Sequence, residues 1–257
     1  MAKSVIYETR GRAREYCELA INLYTGCPHG CRYCYAPGIT RRKREAFHSE
    51  SAPRVTVDEI QVSAASREGE KRPVLLCFMT DPYQPQEEER LLTRATINAL
   101  HDYDLSFTVL TKAGRLARRD FELYREGDSF GATLTSLDES RSREWEPGAG
   151  SPEERIQNLY IARMEHGIPT WISLEPVLRP TDSLAVIHGC APFVDHFKLG
   201  KLNYDVNWTI EQKTDWAGYA EAAISALRRQ GKGFYIKRDL GKYIGHPEGL
   251  REGRQLP

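Results

Sequence analysis

Several features are missing from this sequence of 257 residues, and each absence excludes a class of protein. Lysine and arginine number 36 together, and aspartate and glutamate also number 36, so no charge excess predicts a general nucleic-acid binder or a disordered acidic chain. The first residues, MAKSVIYETRGRAREYC, lack the apolar core of a signal peptide. The longest strongly apolar run, VLLCFM at 74–79, is too short to span a bilayer. We therefore expect a soluble cytoplasmic protein without a membrane partner.

Internal repeats and low-complexity segments are absent as well. The length of the chain is ordinary for one barrel of alternating strands and helices. We predict a single domain over residues 1–257, with a core at about 19–205 and a C-terminal helix and extension at about 206–257.

Short β-rich runs alternate with longer helical patterns along the chain. The predicted strands are 19–24, 74–80, 106–111, 129–135, 169–175 and 196–202, and the predicted helices are 34–44, 56–67, 86–101, 115–125, 152–166, 181–188 and 210–230. This alternation requires parallel neighbouring strands joined by right-handed crossovers. The sequence therefore predicts an α/β fold, a partial (βα)6 TIM-like barrel with a short C-terminal extension. An open doubly wound sheet is the alternative.

Two of the predicted helices carry explicit start signals. Ser151 with Glu154, and Thr209 with Gln212, have the spacing of a capping box. Residues 167 and 231 are glycines, which predict the ends of the same helices.

Three of the six cysteines, Cys27, Cys31 and Cys34, fall within eight residues after the first predicted strand. Without a signal peptide, such a cluster indicates metal ligands rather than disulfides. A structural zinc site would need His29 or His48 as its fourth ligand. Three cysteines on a four-iron cluster instead leave one iron open to another molecule. The incomplete ligand set favours the cluster, and a zinc or iron–sulfur interaction module is the alternative.

The Cys-x3-Cys-x2-Cys spacing, with Tyr33 before the third cysteine, matches the signature of the radical S-adenosylmethionine (SAM) superfamily. Over residues 19–180 the sequence resembles the spore photoproduct lyase-like branch, through GCPHGCRYCYAPG, MTDPYQPQEEERLLTR, VLTKAGRLARRD and EPGAGSPEERIQNL followed by GIP. The resemblance implies a 4Fe-4S cluster and SAM as cofactors, with an external electron donor such as flavodoxin or ferredoxin. It implies that reductive cleavage of SAM gives a 5'-deoxyadenosyl radical for hydrogen abstraction.

The resemblance also assigns polar residues at strand ends to SAM. Thr80 and Asp81 would receive its amino group, and Lys112 would pair with its carboxylate. The segment Asp-Pro-Tyr-Gln-Pro that begins at residue 81 is also a strong turn sequence, and both interpretations can hold together.

Further cofactor contacts follow from the same resemblance. Tyr33 lies between two cluster cysteines, and Thr133 or Thr135 would contact ribose hydroxyls. Glu175 ends a predicted strand and is a candidate ligand for ribose or for substrate. The sequence assigns no residue to the chemistry on the substrate.

Basic residues in two segments have two interpretations each. Lys198 and Lys201 lie in the predicted strand 196–202. Lys237 and Arg238 lie in the later segment GKGFYIKRDLGK, which could touch substrate phosphates, but a solvated packing segment is the favoured interpretation. The run at 41–44 is likewise predicted to be a solvated helix face.

The substrate is left open, with nucleic acid as one candidate and lesion repair of the spore photoproduct lyase type as an alternative reaction. In those lyases a cysteine three residues before the strand-end Asp returns a hydrogen atom to the product. Phe78 has that place here, and Cys77 lies one position earlier. Strand alternation therefore predicts that the Cys77 thiol turns away from the pocket, unless a β-bulge restores its direction. We accordingly expect no repair of thymine dimers.

Overall fold

The computed structural model describes residues 4–203 and 213–256. These residues form one sheet in which every strand pairs with its neighbours in chain order. The strands are β1 (Tyr7–Glu8), β2 (Leu19–Ile21), β3 (Val74–Leu76), β4 (Phe107–Thr111), β5 (Ser129–Thr133), β6 (Thr170–Val177), β7 (His196–Lys201), β8 (Gly233–Ile236) and β9 (Leu250–Glu252). Strands β2 to β8 are parallel, while β1 and β9 pair antiparallel at the two edges.

Helices connect the parallel strands. Within the described residues the α-helices are α1 (Ala36–Thr40), α2 (Arg44–Ser49), α3 (Val57–Ala65), α4 (Glu87–Arg90), α5 (Leu92–Asp102), α6 (Glu139–Trp145), α7 (Pro152–Met164), α8 (Pro180–Cys190), α9 (Trp216–Arg229) and α10 (Arg238–Gly241). Short 3-10 helices lie at Gly11–Glu15, Arg115–Arg118, Phe121–Leu123, Ala191–Phe193 and Lys242–Ile244. No helix in residues 4–203 and 213–256 combines the length and the hydrophobicity that crossing a bilayer requires.

The strand order confirms the predicted partial α/β barrel. Consecutive parallel strands lie side by side from β2 to β8, without the reversal of order that defines a doubly wound sheet. Right-handed crossovers between such neighbours place their helices on one face, so that the sheet curves around the other face. The antiparallel edge strands leave this barrel open.

The sheet contains one more parallel strand than the six predicted. The segment GFYI forms β8 and pairs with β7, although its pattern indicated a terminal packing segment. Four residues flanked by lysines are too few to show the pattern of a buried strand.

Two predicted helices differ from the observed ones. The helix predicted at 86–101 is divided at Leu91, whose φ is 53°, because the buried Glu87 side chain accepts from the Thr93 amide and starts a new helix there. The segment 115–125 forms two 3-10 turns, since Asp120 lies between them with its carboxylate bound by Arg94 and Arg119.

The local signals around α7 are confirmed. Ser151 and Glu154 form the capping box with both hydrogen bonds present. The glycines after α7 and α9 have φ of 69° and 62°, the left-handed conformation that ends a helix. The second predicted box, Thr209 with Gln212, lies outside the described residues.

A continuous hydrophobic core fixes the strands to the helices. It combines strand residues with residues of α3, α5 and α9, and its fully buried members include Leu19, Ile60, Val74, Ile97, Phe107, Phe130, Phe197 and Leu227. Each such side chain stabilises the fold by about 1.5 to 3 kcal/mol. The carboxyl ends of the parallel strands are therefore held in fixed relative positions.

Candidate functional site

A cavity of about 400 Å³ lies at the carboxyl ends of the parallel strands. Residues at or just beyond the ends of β3 to β8 line it, together with the loop after β2 and the N-terminal segment around Arg10. This volume is within the usual range of small-molecule sites. The cavity is therefore the place where the strand-end residues come together.

The three clustered cysteines are among the residues that line this cavity. The amide of Cys34 donates to the carbonyl of Cys31 at 3.0 Å, and the amide of Cys27 donates to the carbonyl of Phe47 in α2 at 3.0 Å. Arg44 donates to the carbonyls of Cys31 and Cys34 at 3.1 and 2.8 Å. Helix α2 thus fixes the backbone of the loop that carries the thiols.

The chemistry of these three thiols fits an iron–sulfur cluster. Burial raises the pKa of Cys27 and of Cys34, and it raises the pKa of Cys31 to about 12. Thiols in such surroundings become thiolates when a metal supplies the compensating charge. Cluster ligands bind separate irons, so they need not converge on one ion. In residues 4–203 and 213–256, no three His, Cys, Asp or Glu side chains are grouped to hold one metal ion.

The two histidines considered as a fourth zinc ligand make other contacts. His29 Nδ1 lies 3.4 Å from Oδ2 of Asp81, and both side chains are buried. His48 Nδ1 lies 2.9 Å from the carbonyl oxygen of Cys27. These contacts favour the cluster interpretation over a Cys3His zinc site.

Asp81 joins the ends of two strands. Its Oδ1 accepts from the Tyr83 amide at 2.9 Å and from the Thr111 hydroxyl at 2.7 Å, and its Oδ2 accepts from the Lys112 amide at 2.7 Å. The side chain is 6 % exposed and lines the cavity. The turn interpretation of this segment is therefore observed, and the carboxylate already holds three donors.

Unlike Asp81, Thr80 and Lys112 have polar side-chain atoms that make no hydrogen bond within the described residues. Thr80 Oγ1 is buried and has no hydrogen-bond partner within the described part of the chain. Lys112 Nζ lies 5.7 Å from the centre of the Tyr33 ring, and this ammonium makes no hydrogen bond or ion pair with another described residue. Burial alone would lower the pKa of Lys112, but the nearby Cys31 and carboxylates raise it, so its ammonium stays charged.

Tyr33 lines the cavity, and its side chain also contacts residues of the segment after α6. Its ring stacks on Trp145 with centroids 6.5 Å apart, and its hydroxyl donates to the buried carboxylate of Glu146. Thr133 lines the cavity, whereas Thr135 is buried outside that lining. Of the two threonines proposed for ribose, the structure brings Thr133 to the cavity.

The structure contains a buried ion pair between Arg155 and Glu146, two residues that the sequence did not indicate as part of the site. Arg155 Nη1 lies 2.8 Å from Oε2 of Glu146, and both side chains are at most 1 % exposed. Arg155 also donates to the Thr133 carbonyl at 2.8 Å and to Ser142 Oγ at 2.7 Å. Both partners of the ion pair belong to the motif EPGAGSPEERIQNL. The presence of both acidic and basic residues in that motif was the feature of the sequence that could have indicated the ion pair.

The glycines of the same motif connect two loops of the site. The amide of Gly148 donates to the His29 carbonyl at 2.9 Å, and the amide of Gly150 donates to the Lys112 carbonyl at 2.8 Å. A Cβ at Gly148 would lie 2.4 Å from the carbonyl oxygen of Pro28, and one at Gly150 would lie 2.3 Å from the Gly114 amide nitrogen. Only glycine permits this contact between the cysteine loop and the loop after β4.

A family model described as the radical SAM superfamily matches residues 21–185, which include the cysteine loop and all strands from β3 to β6. The chain belongs to the radical SAM superfamily. An uncharacterized protein of Methanocaldococcus jannaschii is 26 % identical over 205 residues, which cover 79 % of this chain and 76 % of that protein. An uncharacterized protein of Mycobacterium tuberculosis is 30 % identical over 195 residues. The match covers 71 % of this chain and 56 % of the mycobacterial protein.

Solved structures share the fold of this radical SAM chain. A spore photoproduct lyase variant with bound SAM and dinucleoside spore photoproduct has a TM-score of 0.66 at 16 % identity, covering 90 % of this chain and 78 % of the lyase. Another variant of that lyase has a TM-score of 0.68 at 16 % identity, covering 92 % and 79 %. SuiB of Streptococcus suis bound to SAM has a TM-score of 0.63 at 14 % identity, covering 84 % and 49 %.

Glu175 lies in β6 and lines the same cavity of this radical SAM protein. It accepts hydrogen bonds from the Tyr16 hydroxyl and from Lys237 Nζ, the latter at 2.5 Å. Lys198, Lys201 and Lys237 are 3 %, 4 % and 2 % exposed. Lys198 and Lys201 belong to β7, as predicted. The favoured interpretation of the later segment as solvated is wrong for Lys237, because β8 pairs with β7 and holds this part of the segment in the sheet, whereas Arg238 is exposed.

The basic run at 41–44 is solvated only in part. Arg41, Lys43 and Arg44 are exposed, as predicted. Arg42 donates to the Thr25 carbonyl at 2.8 Å, and Arg44 binds the backbone of the cysteine loop. Two members of the run therefore stabilise the loop instead of forming a free charged face.

Cys77 follows the end of β3, where strand alternation no longer determines side-chain direction. It lines the cavity and is 3 % exposed, and it also belongs to the main hydrophobic core. The expectation that alternation removes Cys77 from the pocket is thus wrong, since the strand ends at Leu76.

Proposed function

We propose that the protein binds a 4Fe-4S cluster through Cys27, Cys31 and Cys34 and holds SAM beside it in the same cavity. The observation that carries this proposal is the convergence of three thiols, the Thr80 hydroxyl and the Lys112 ammonium on one cavity of a radical SAM protein. When bound, these cofactors supply reductive cleavage of SAM to a 5'-deoxyadenosyl radical, which abstracts a hydrogen atom from the substrate.

The residues of the chain would bind and orient SAM. Lys112 supplies a charged donor for the carboxylate, and Thr80 Oγ1 supplies an acceptor for the amino group. Thr133 lines the cavity and would contact the ribose. Asp81 acts as a positioning residue, because its carboxylate fixes the Lys112 amide and the Thr111 hydroxyl.

The substrate, the electron donor and the location are further parts of the proposal. Nucleic acid is one candidate substrate, and a flavodoxin or ferredoxin is the proposed donor of the electron. Cysteine ligands that must stay reduced are consistent with a cytoplasmic location.

Anaerobic reconstitution followed by iron and sulfide analysis tests the cluster. We expect about four irons per chain, with loss of the iron when Cys27, Cys31 and Cys34 are all replaced by alanine. The control is Cys190→Ala, since Cys190 is a buried cysteine of α8 that does not line the cavity. The wild-type protein with dithionite and SAM should release 5'-deoxyadenosine. Iron retained by the triple variant, or zinc in place of iron, would contradict the proposal.

Lesion repair is the second candidate function. It is favoured by the presence of Cys77 in the cavity lining and by the fold shared with spore photoproduct lyase. The test uses a dinucleoside spore photoproduct and asks whether thymines are released.

A further inference from the structure

Asn22 directly follows β2, and its side chain contacts the segment that follows β3. Its Oδ1 accepts from the Phe78 amide at 3.1 Å and from the Met79 amide at 2.8 Å. The residue is 6 % exposed, so water has little access to these hydrogen bonds. One side-chain oxygen therefore holds two consecutive backbone amides in the interior of the protein.

The sheet itself does not fix this segment. Strand β3 ends at Leu76, which is also the last residue that pairs with β2, opposite Ile21. In the described part of the chain, neither the Phe78 amide nor the Met79 amide donates to a backbone carbonyl. Buried backbone amides need an acceptor. The Asn22 side chain supplies it at the point where the pairing of the strands ends.

The segment that Asn22 holds leads directly to Thr80. Thr80 lines the cavity, and its buried Oγ1 has no hydrogen-bond partner within the described residues. On the other side of Thr80, the Asp81 carboxylate is bound by three donors, among them the Thr111 hydroxyl at 2.7 Å. The backbone at Thr80 is therefore held between two fixed points, one made by Asn22 and one made by Asp81.

A further hydrogen bond joins the same segment to the cysteine loop. The Phe78 carbonyl accepts from the hydroxyl of Tyr35, the residue that follows Cys34. The Phe78 carbonyl and the Met79 amide belong to one trans peptide group, so they point in opposite directions. Asn22 binds this peptide group on one side, and the cavity-lining Tyr35 binds it on the other. The orientation of the backbone just before Thr80 is thus determined from both sides.

We propose that Asn22 is a positioning residue for SAM, which holds the backbone at 78–79 so that Thr80 presents its Oγ1 to the amino group of SAM. The inference rests on the proposed function, because that function assigns the amino group to Thr80. Asn22 does not line the cavity, so it acts on SAM through the backbone of this segment.

Calorimetric titration of the cluster-loaded protein with SAM tests this role. Asn22→Leu keeps nearly the same size but removes the acceptor. The Kd for SAM should rise about tenfold or more, because two buried amides lose their acceptor and the backbone before Thr80 shifts. Asn22→Asp keeps an acceptor for both amides and should restore the Kd to within about threefold of wild type. Both variants keep all three cysteines and should hold about four irons per chain.

A kinetic measurement and a matched control separate positioning from a general loss of stability. In SAM cleavage, Asn22→Leu should raise the KM for SAM and leave kcat within about threefold of wild type, whereas a partly unfolded protein would lose kcat. The control is Ser63→Ala, because buried Ser63 accepts from the Val5 amide at 2.9 Å but does not line the cavity. Its Kd for SAM should equal that of wild type. If Asn22→Leu does not fold, Asn22→Ser repeats the test with a smaller polar side chain.

The outcomes distinguish this inference from the proposed function. Equal SAM affinity in wild type and in the folded variant that lacks the acceptor would overturn the positioning role. Asn22→Asp that binds SAM as weakly as Asn22→Leu would also overturn it, because the acceptor would then have no effect. Both results leave the proposed function intact. Wild-type protein that holds no iron or binds no SAM would instead contradict the proposed function and this inference with it.

Discussion

The buried ion pair of Arg155 and Glu146 allows a direct test of how much it stabilises the fold near the cysteine loop. Arg155→Met keeps most of the volume of the side chain but removes its charge and its donors. The variant leaves the Glu146 carboxylate without its 2.8 Å partner, in a position that is fully buried. It also leaves the Thr133 carbonyl and Ser142 Oγ without their donors.

The expected magnitude follows from burial. Burial alone would raise the pKa of Glu146, yet Arg155 and then Lys112 outweigh it and lower that pKa. Removing one partner of such a pair costs about 3 to 5 kcal/mol, since an uncompensated charge stays in the interior. For a protein of this size, a loss of this magnitude corresponds to a Tm lower by roughly 10 °C.

Urea unfolding followed by circular dichroism, on cluster-loaded protein under anaerobic conditions, measures the free energy of unfolding. The control is Arg143→Met, whose pair with Glu139 has side chains 72 % and 64 % exposed, so a change within about 0.5 kcal/mol is expected. The double variant Glu146→Gln/Arg155→Met should lose less than the sum of its single changes. An Arg155→Met protein within about 1 kcal/mol of wild type would refute the reasoning.

Two further changes separate contacts with SAM from effects on the fold and on pH dependence. Lys112→Ala should weaken SAM binding by about 2 to 4 kcal/mol with little loss of stability, whereas Asp81→Ala should destabilise the fold, because it leaves three buried donors without an acceptor. Calorimetry with SAM and urea unfolding distinguish these outcomes, and equal SAM affinity in Lys112→Ala and wild type would contradict the assignment. Burial lowers the pKa of Lys198 from 10.5 to about 7. Between these two pH values the lysine is protonated in the unfolded chain but largely neutral in the folded one. The free energy of unfolding should therefore rise with pH across this window. Lys198→Met should remove that rise, as measured by unfolding at pH 7 and pH 9 against wild type, and an unchanged rise would contradict it.

Periodicity was sufficient to predict the barrel, because the parallel strands from β2 to β7 are short apolar runs separated by helices. The same periodicity did not predict β8. The burial of β8 depends on its pairing with β7 and on the hydrogen bond between Tyr235 and Glu15, which is more than two hundred residues earlier in the chain. Local pattern carries no information about such pairing. The burial of Lys237 could not be predicted for the same reason, since it follows from that tertiary contact.

Spacing predicted the cysteine loop, and the family resemblance pointed to the strand-end residues Thr80 and Lys112, all of which line the same cavity. The contacts of Glu146 and of Gly148 could not be predicted from the sequence. The ion pair of Glu146 and the close contact of the Gly148 backbone with the cysteine loop exist only when α6, α7 and that loop are brought together by the fold. Asp81 illustrates an intermediate case. Its position was predicted, but the number of donors it holds, and hence its positioning role, required the structure.

Cys77 decides between the two candidate functions. The residue is 3 % exposed, its thiol lies near the Leu23 backbone and the Thr80 side chain, and burial raises the pKa of that thiol. A small buried thiol in the main core is a packing residue first, so Cys77→Ala should cost about 1 to 2 kcal/mol of stability and leave SAM cleavage intact.

We therefore expect wild-type protein to release no thymine from a dinucleoside spore photoproduct, although Cys77 lines the cavity. The assay compares wild type with Cys77→Ala under reducing anaerobic conditions, with 5'-deoxyadenosine release as the measure of an active cluster and Cys190→Ala as the control for loss of a buried thiol. Repair by wild type that disappears in Cys77→Ala but persists in Cys190→Ala would make this thiol a hydrogen-atom donor. Lesion repair would then become the first candidate function, because a thiol that is accessible to the product radical cannot act as a packing residue alone.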